Sequence, residues 1–219
     1  MTCSTVGFTS PTSAGSLLVL AGWTTCSGTT ASNQNFSNPS TAGITWTFGA
    51  QGTNGGTTFA PSAFFAYAQN APSIGTSVGT KLVVTNSGFG SATCTYAAEF
   101  SLFEFGGMAL TSVLDHTSSS SGSTTVTGAI VNSQTDMNFF VYTGSPSGSN
   151  LAAGSGFTLG INAVVSTVGQ TEYELNVPAG TVTAAFVGSN TRWAGVGASF
   201  KGGATAAAAV TTTQGFLLM

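Results

Sequence analysis

The stretch ATCTYAAEFSLFEF, residues 92–105, predicts the fold more clearly than any other part of the chain. It contains no Gly and no Pro, and up to Leu102 its larger apolar residues alternate with small or polar ones. A period of two residues indicates a β-strand with one buried face. After Leu102 the large apolar side chains, Phe103 and Phe105, fall on the opposite face of the strand. We therefore expect a β-bulge or burial of both faces near residues 101–103.

Short strand-like segments separated by Gly and Pro recur along the rest of the chain. The main ones are residues 2–9, 16–25, 43–48, 57–69, 80–86, 137–144, 157–161 and 192–201. No stretch has the 3.6-residue period and the caps of an amphipathic helix. The sequence therefore predicts an all-β fold, an antiparallel β-sandwich of jelly-roll-like type.

Three local signals refine this prediction. Pro178-Ala179-Gly180 separates two strand-like segments, which is typical of a hairpin. The run SSSSGSTT, residues 118–125, is polar throughout and is interpreted as a loop. Pro61 cannot donate to a sheet ladder, so we expect the first half of residues 57–69 to lie at an edge or a bulge.

The chain divides into one sandwich domain, residues 1–201, and a C-terminal tail, residues 202–219. The tail ends in four apolar residues, Phe216, Leu217, Leu218 and Met219. An exposed apolar terminus needs a cover. We therefore predict that these four residues form an assembly interface with a neighbouring subunit. The alternative is that the tail folds back onto its own sandwich.

Composition excludes several classes of function. The chain has 219 residues, of which 42% are hydrophobic and only 4% are charged, so Ser, Thr, Asn, Gln and Gly must form the surface. The only basic residues are Lys81, Arg192 and Lys201, and the net charge is −3, which argues against nucleic-acid binding. So little charge favours self-association. No apolar run reaches the ~20 residues of a membrane helix, and no signal peptide is visible. Either a precursor has been trimmed or the protein is made and assembled inside the cell, and the starting Met1 favours the second.

The order of several motifs resembles a known group of proteins. The motifs are SPTSAGSLLVLAGW (10–23), FFAYAQN (64–70), KLVVT (81–85), FEFGG (103–107), LDHTSSSSGS (114–123), GSGFT (154–158) and RWAGVGASFK (192–201). This order resembles bacterial and phage jelly-roll-like β-sandwich modules of surface proteins, tail fibres and capsid-associated proteins. The resemblance implies an adhesive or structural role without shared catalytic residues. It points to a phage capsid decoration protein or another virion surface subunit, and alternatively to a secreted carbohydrate-binding or adhesin module.

The titratable residues form no convincing catalytic pattern. Asp115 and His116 are neighbours, but adjacent side chains of an extended segment point apart, so we expect a solvated loop rather than a triad. Glu172 and Glu174 lie on one strand face, whereas a retaining glycosidase needs two carboxyl groups across a cleft. We predict no enzyme activity and no cofactor.

Other side chains have a structural and a functional interpretation. Glu99 and Glu104 are expected on different strand faces, and Glu104 is expected to accept N–H groups at the Gly106-Gly107 turn. The chain has three Trp residues, which are interpreted as core residues or alternatively as a glycan-stacking platform: Trp23, Trp46 and Trp193. The three cysteines have no zinc-binding spacing, so they are small buried residues or contribute one disulfide: Cys3, Cys26 and Cys94.

Overall fold

A computed structural model describes residues 2–4, 11–27, 36–55, 59–75, 82–85, 99–123, 125–144, 152–163, 168–189, 192–202 and 210–216. Within these ranges the chain forms strands and no helix. The strands are β1 (Thr2–Ser4), β2 (Ser16–Ser27), β3 (Thr47–Thr53), β4 (Phe59–Ala71), β5 (Val83–Thr85), β6 (Glu99–Phe105), β7 (Leu114–Gly122), β8 (Thr125–Asn132), β9 (Asp136–Gly144), β10 (Thr158–Ala163), β11 (Val168–Val177), β12 (Gly180–Ser189), β13 (Trp193–Lys201) and β14 (Val210–Phe216).

Two five-stranded antiparallel sheets form the body of the fold. The first sheet has the strand order β14-β6-β2-β4-β3, and the second has the order β10-β11-β9-β13-β7. Their facing sides meet in one core that is rich in aromatic rings. Its largest fully buried members are Trp23, Phe65, Phe103, Phe105, Phe139 and Phe200. The predicted all-β antiparallel sandwich is confirmed.

Each large sheet is also covered on its outer face. On the first sheet, Phe36, Ile44 and Trp46 pack together with Leu82 and Val84 against the outward side chains of β2, β4 and β6. The β8–β12 pair covers the second sheet through an apolar cluster of Ile130, Phe140, Tyr142, Ala184, Phe186 and Trp193. The central strands therefore bury both faces, which is why their sequences are apolar on both.

Strand β6 shows this arrangement clearly. Phe103 and Phe105 face the core between the sheets, whereas Phe100 and Leu102 face the outer cover. The pairing of β6 with β2 runs without a register shift. The predicted bulge is therefore absent, and burial of both faces explains the change of pattern. Residues 92–98 of the predicted strand lie outside the described residues.

The structure corrects two of the local predictions. The polar run that was interpreted as a loop belongs largely to β7, where Ser118–Ser121 pair with β13. Polar residues suit this strand because it lies at the edge of its sheet. The hairpin predicted at Pro178 is also wrong, because β11 pairs with β9 and β10 while β12 pairs with β8. The turn carries the chain from one layer to the next.

Pro61 lies where its missing N–H group is not needed. It pairs with Thr25 of β2, but the ladder between β4 and β3 ends at the pair Thr53–Ser62. The first part of β4 therefore has a strand partner on one side only, as the sequence predicted.

The backbone of the C-terminal segment follows the fold-back alternative. Residues Val210–Phe216 form β14, which pairs with β6 over seven residues and ends the first sheet. The side chain of Phe216 and residues 217–219 lie outside the described residues, so the apolar interface predicted for them stays a prediction.

Asn54 ties the two sheets together at one corner, and its loss should weaken the sandwich. Its Nδ2 donates to the carbonyl oxygens of Gly122 and Trp193, both at 2.9 Å. We expect Asn54→Ala to lower the free energy of unfolding by about 1–3 kcal/mol, because two carbonyl groups lose their donor. Asn54→Asp keeps the shape without the donor and should cost at least as much in chemical denaturation. If Asn54→Asp is as stable as the wild type, the two hydrogen bonds do not contribute to the free energy of unfolding.

Candidate functional site

Several charged and amide side chains of the second sheet gather at one end of its outer face, under β8. We call this cluster the polar corner. Strand β7 contributes Asp115 and His116, β9 contributes Asp136 and Asn138, and β13 contributes Ser199 and Lys201. The remaining members are Asn132 at the end of β8 and Ser133, which follows it. Asp136 and Asn138 point away from the core between the sheets, because Met137 and Phe139 point into it. Asn132 shares the inward face of β8 with Ile130, since Val131 between them is exposed.

A β-bulge directs Asp115 into the polar corner. Leu114 pairs with Phe200 and His116 pairs with Ser199, so Asp115 is an extra residue without a partner on β13. Such a bulge re-aims side chains relative to a regular strand. Asp115 accepts hydrogen bonds from the backbone N–H and the hydroxyl of Ser133, each at 2.7 Å. Nδ1 of His116 lies 3.1 Å from Oδ2 of Asp115. The prediction that these neighbours point apart is wrong, because a bulge breaks the alternation on which it rested.

Asp115 and Asp136 form a coupled pair of carboxyl groups, each of which shifts the pKa of the other. Burial raises the pKa of Asp136 to about 7, and the hydrogen bond and charge of Asp115 add to this increase. Burial also disfavours the charge of Asp115, but the hydrogen bonds from Ser133 outweigh it and hold the pKa of Asp115 well below its usual range. Of the two groups, Asp136 therefore holds a proton more readily.

The polar corner is sealed and incompletely satisfied. Asn132 is 2% exposed and Asn138 is 0% exposed, and neither amide has a hydrogen-bond partner within the described residues. Both carboxyl oxygens of Asp136 are likewise buried without a hydrogen-bond partner among the described residues. Unpaired buried polar groups cost about 1–3 kcal/mol each. This corner is thus the least satisfied part of the interior between β8 and the second sheet.

The corner does not have the geometry of a catalytic triad. The hydroxyl of Ser199 donates to the carbonyl of Val131 and accepts the backbone N–H of His116, so it contacts no imidazole nitrogen. Ser133 bonds to Asp115 rather than to His116. The His116 side chain is 47% exposed while the Asp115 side chain is 7% exposed. The arrangement favours a protonated carboxyl group at Asp136, but among the described residues it presents no activated nucleophile.

Glu172 and Glu174 lie on one face of β11, as predicted, and support a turn. Glu172 is fully buried, and its Oε2 accepts the backbone N–H of Gly154 at 2.7 Å. Burial raises the pKa of Glu172 to about 7, although the Gly154 hydrogen bond opposes this, and the charge of Glu174 adds to it. The Glu174 carboxylate lies close to Gly156, where an added Cβ would crowd it. A buried Glu172 is not placed to contact a sugar, so the pair lacks the open cleft of a glycosidase.

The side chains of the two glutamates of β6 accept hydrogen bonds on opposite faces of the strand. Oε2 of Glu99, which is 4% exposed, accepts the indole N–H of Trp23 at 3.0 Å in the core. Glu104 accepts the backbone N–H of Ser13. Glu104 therefore does accept a backbone donor, but its partner is the turn before β2 and not the predicted Gly106-Gly107 turn. Only the pairing of β6 with β2 brings that turn within reach.

All three tryptophans are buried, which favours the core interpretation over a glycan-stacking platform. Trp23, Trp46 and Trp193 are 1%, 7% and 3% exposed. Trp46 donates to the hydroxyl of Thr41 at 3.2 Å, and Trp193 packs against Tyr142 with ring centroids 6.3 Å apart. A sugar stacks on an accessible ring face, and none of these rings offers one.

Cys94 and the side chains of Cys3 and Cys26 lie outside the described residues, so the alternative of one disulfide stays open. Among the side chains that the structure describes, no group of three or more His, Cys, Asp and Glu could hold a metal ion. In the same residues no helix is long and apolar enough to cross a membrane.

Fold and site together define an antiparallel β-sandwich protein whose most distinctive polar feature is a buried pair of carboxyl groups with opposite pKa shifts. No family model matches the chain, and comparisons with curated proteins and with solved structures find no match either. The resemblance to phage and bacterial surface modules therefore stays a prediction from the sequence.

Proposed function

We propose that this protein is a non-enzymatic structural subunit that self-assembles at a virion surface, such as a phage capsid decoration protein. The observation that carries self-assembly is the composition of the sheet edges. Three of the four edge strands of the large sheets, β3, β10 and β14, contain no Lys, Arg, Asp, Glu or Pro. Soluble proteins commonly protect exposed edges with such residues, because an open edge pairs with other strands.

Two further observations support this proposal. With a net charge of −3 over 219 residues, neighbouring copies repel one another weakly. The buried carboxyl groups act between strands: the Asp115–Asp136 pair joins β7 to β9, and Glu172 holds a turn. Both roles lie inside the sandwich and not in an open cleft. The virion setting rests on the motif order in the sequence.

Native mass measurement tests self-assembly directly. We expect discrete multimers whose proportion rises with protein concentration, and we expect the gene to lie among genes for virion components. A protein that stays monomeric at every soluble concentration would contradict self-assembly. A monomer that binds glycans would favour the alternative, a secreted carbohydrate-binding or adhesin module, although the buried tryptophans leave it without its aromatic platform.

The tail should be required for assembly but not for the sandwich. Deletion of residues 204–219 removes β14 and leaves the other four strands of the first sheet in place. We expect the truncated protein to keep a β-type circular dichroism spectrum and to lose the discrete multimers. Normal assembly without these residues would show that the tail has no part in it, whereas failure to fold would make β14 an integral strand of the domain.

A further inference from the structure

The four edges of the two large sheets differ in regularity. Strands β3, β7 and β10 each carry one extra residue that interrupts pairing with the neighbouring strand: Gly49, Asp115 and Gly160. Strand β14 pairs with β6 through seven consecutive residues without a shift. Bulges twist an edge and hinder the addition of another strand. Of these four edges, only β14 has neither a bulge nor a charge.

A regular strand that pairs on one side presents alternate N–H and C=O groups on the other. In β14 the residues between Val210 and Phe216 read TTTQG, without a proline that would remove a donor. Among the described residues, the outer side of β14 has no strand partner along its seven residues. An identical strand satisfies such an edge in an antiparallel, two-fold arrangement, in which the same patch serves both copies.

We propose that β14 is the self-association surface of this protein, and that it pairs antiparallel with β14 of a second copy to join two first sheets into one ten-stranded sheet. This inference rests on the self-assembly proposed above and names the surface that performs it. Full overlap of the seven residues places Thr213 opposite Thr213 of the second copy. Val210 then lies opposite Phe216, and Thr211 lies opposite Gly215. The occupant is a second copy, because an uncharged antiparallel edge is complementary to itself and a net charge of −3 over 219 residues leaves little repulsion between copies.

Cysteine cross-linking tests the register. With Thr213→Cys, the two new thiols face each other across the two-fold axis, and Cα atoms of directly opposed residues are about 4.5–5.5 Å apart, a separation that a disulfide spans. With Thr211→Cys, the two thiols are offset by about four residues, or roughly 13 Å along the strand. Under mild oxidation we expect a covalent dimer from Thr213→Cys, and from Thr211→Cys no more dimer than the wild type forms through its own cysteines. Equal yields from the two variants would overturn the proposed pairing.

Proline substitution tests whether the backbone edge itself binds. Adjacent residues of a strand direct their N–H groups to opposite sides, so Thr212→Pro and Thr213→Pro remove one donor on the β6 side and one on the outer side. We expect one of the two variants to keep the wild-type melting temperature while its dimer dissociates at least about tenfold more readily, since each copy loses a hydrogen bond. If the variant that keeps its stability associates like the wild type, β14 is not the interface.

These results separate the inference from the proposed function. A wild-type protein that forms multimers, together with no specific Thr213→Cys cross-link and unchanged association of the proline variants, overturns the β14 interface and leaves self-assembly standing. A wild-type protein that is monomeric at every concentration overturns both.

Discussion

The free energy of unfolding should decrease as the pH rises from about 4 to 8. Asp136 has a folded-state pKa of about 7 against an ordinary value of 3.8, and Glu172 has about 7 against 4.5. Between these values the folded protein keeps protons that the unfolded chain releases, so stability falls with rising pH and levels off above pH 7. Each buried carboxyl contributes on the order of 3 kcal/mol to this decrease.

Asp115 has the opposite effect at low pH. Its pKa is held below the ordinary value, so its stabilising contribution is present above about pH 4 and is lost as the pH falls further. Stability should therefore be greatest at about pH 4 to 5. The charged groups that face Asp136 are Asp115 and His116 from β7 and Lys201 from β13. Strands β8 and β12, which cover it, contain no titratable residue.

Substitution of Asp136 separates the pair from the rest of the protein. Asp136→Asn removes the titration of residue 136 and keeps an uncharged side chain of the same shape beside Asp115 at every pH. We expect this variant to be more stable than the wild type at pH 8 and to have a flatter pH profile, measured by urea denaturation across the range. Gln134→Ala changes an exposed, non-titrating residue nearby and serves as the control. A wild-type profile that is flat from pH 4 to 8, or an Asp136→Asn profile with an unchanged slope, would show that burial does not raise the pKa of Asp136 as described.

Phe103→Ala should cause the largest loss of stability among the substitutions considered, about 3–5 kcal/mol. Phe103 is fully buried in the core between the sheets, with its ring 5.0 Å from that of Phe139 and 6.3 Å from that of Phe105. Truncation removes these contacts and leaves a cavity that two packed sheets cannot close.

Leu110→Ala is the matched control, because Leu110 is 53% exposed. It should change the free energy of unfolding by no more than about 0.5 kcal/mol. Chemical denaturation of both variants with the same slope would show that only the native state is affected. A Phe103→Ala variant as stable as Leu110→Ala would mean that the two large sheets are not packed as described.

The sequence alone determined the fold class, because strand formation leaves a local trace. The period of two in β6, the apolar runs of β2 and β9 and the absence of a helical period are visible without any structure. The change of pattern after Leu102 also predicted either burial of both strand faces or a bulge, and the sequence did not distinguish between the two. The low charge was also known from the sequence alone, because it follows from counting residues.

Only the tertiary structure decided where the polar chemistry lies. Asp115 accepts a hydrogen bond from Ser133, which is 18 residues away in the sequence. A bulge in β7 turns the Asp115 side chain under β8, where it influences the pKa of Asp136. No local pattern marks a bulge in a polar strand, and β7 itself reads as a loop because an edge strand needs no apolar alternation. The strand partners of β11 and β12 also could not be predicted from the sequence. A Pro-Ala-Gly turn reverses the chain equally well within a sheet or between layers, and long-range packing makes that choice.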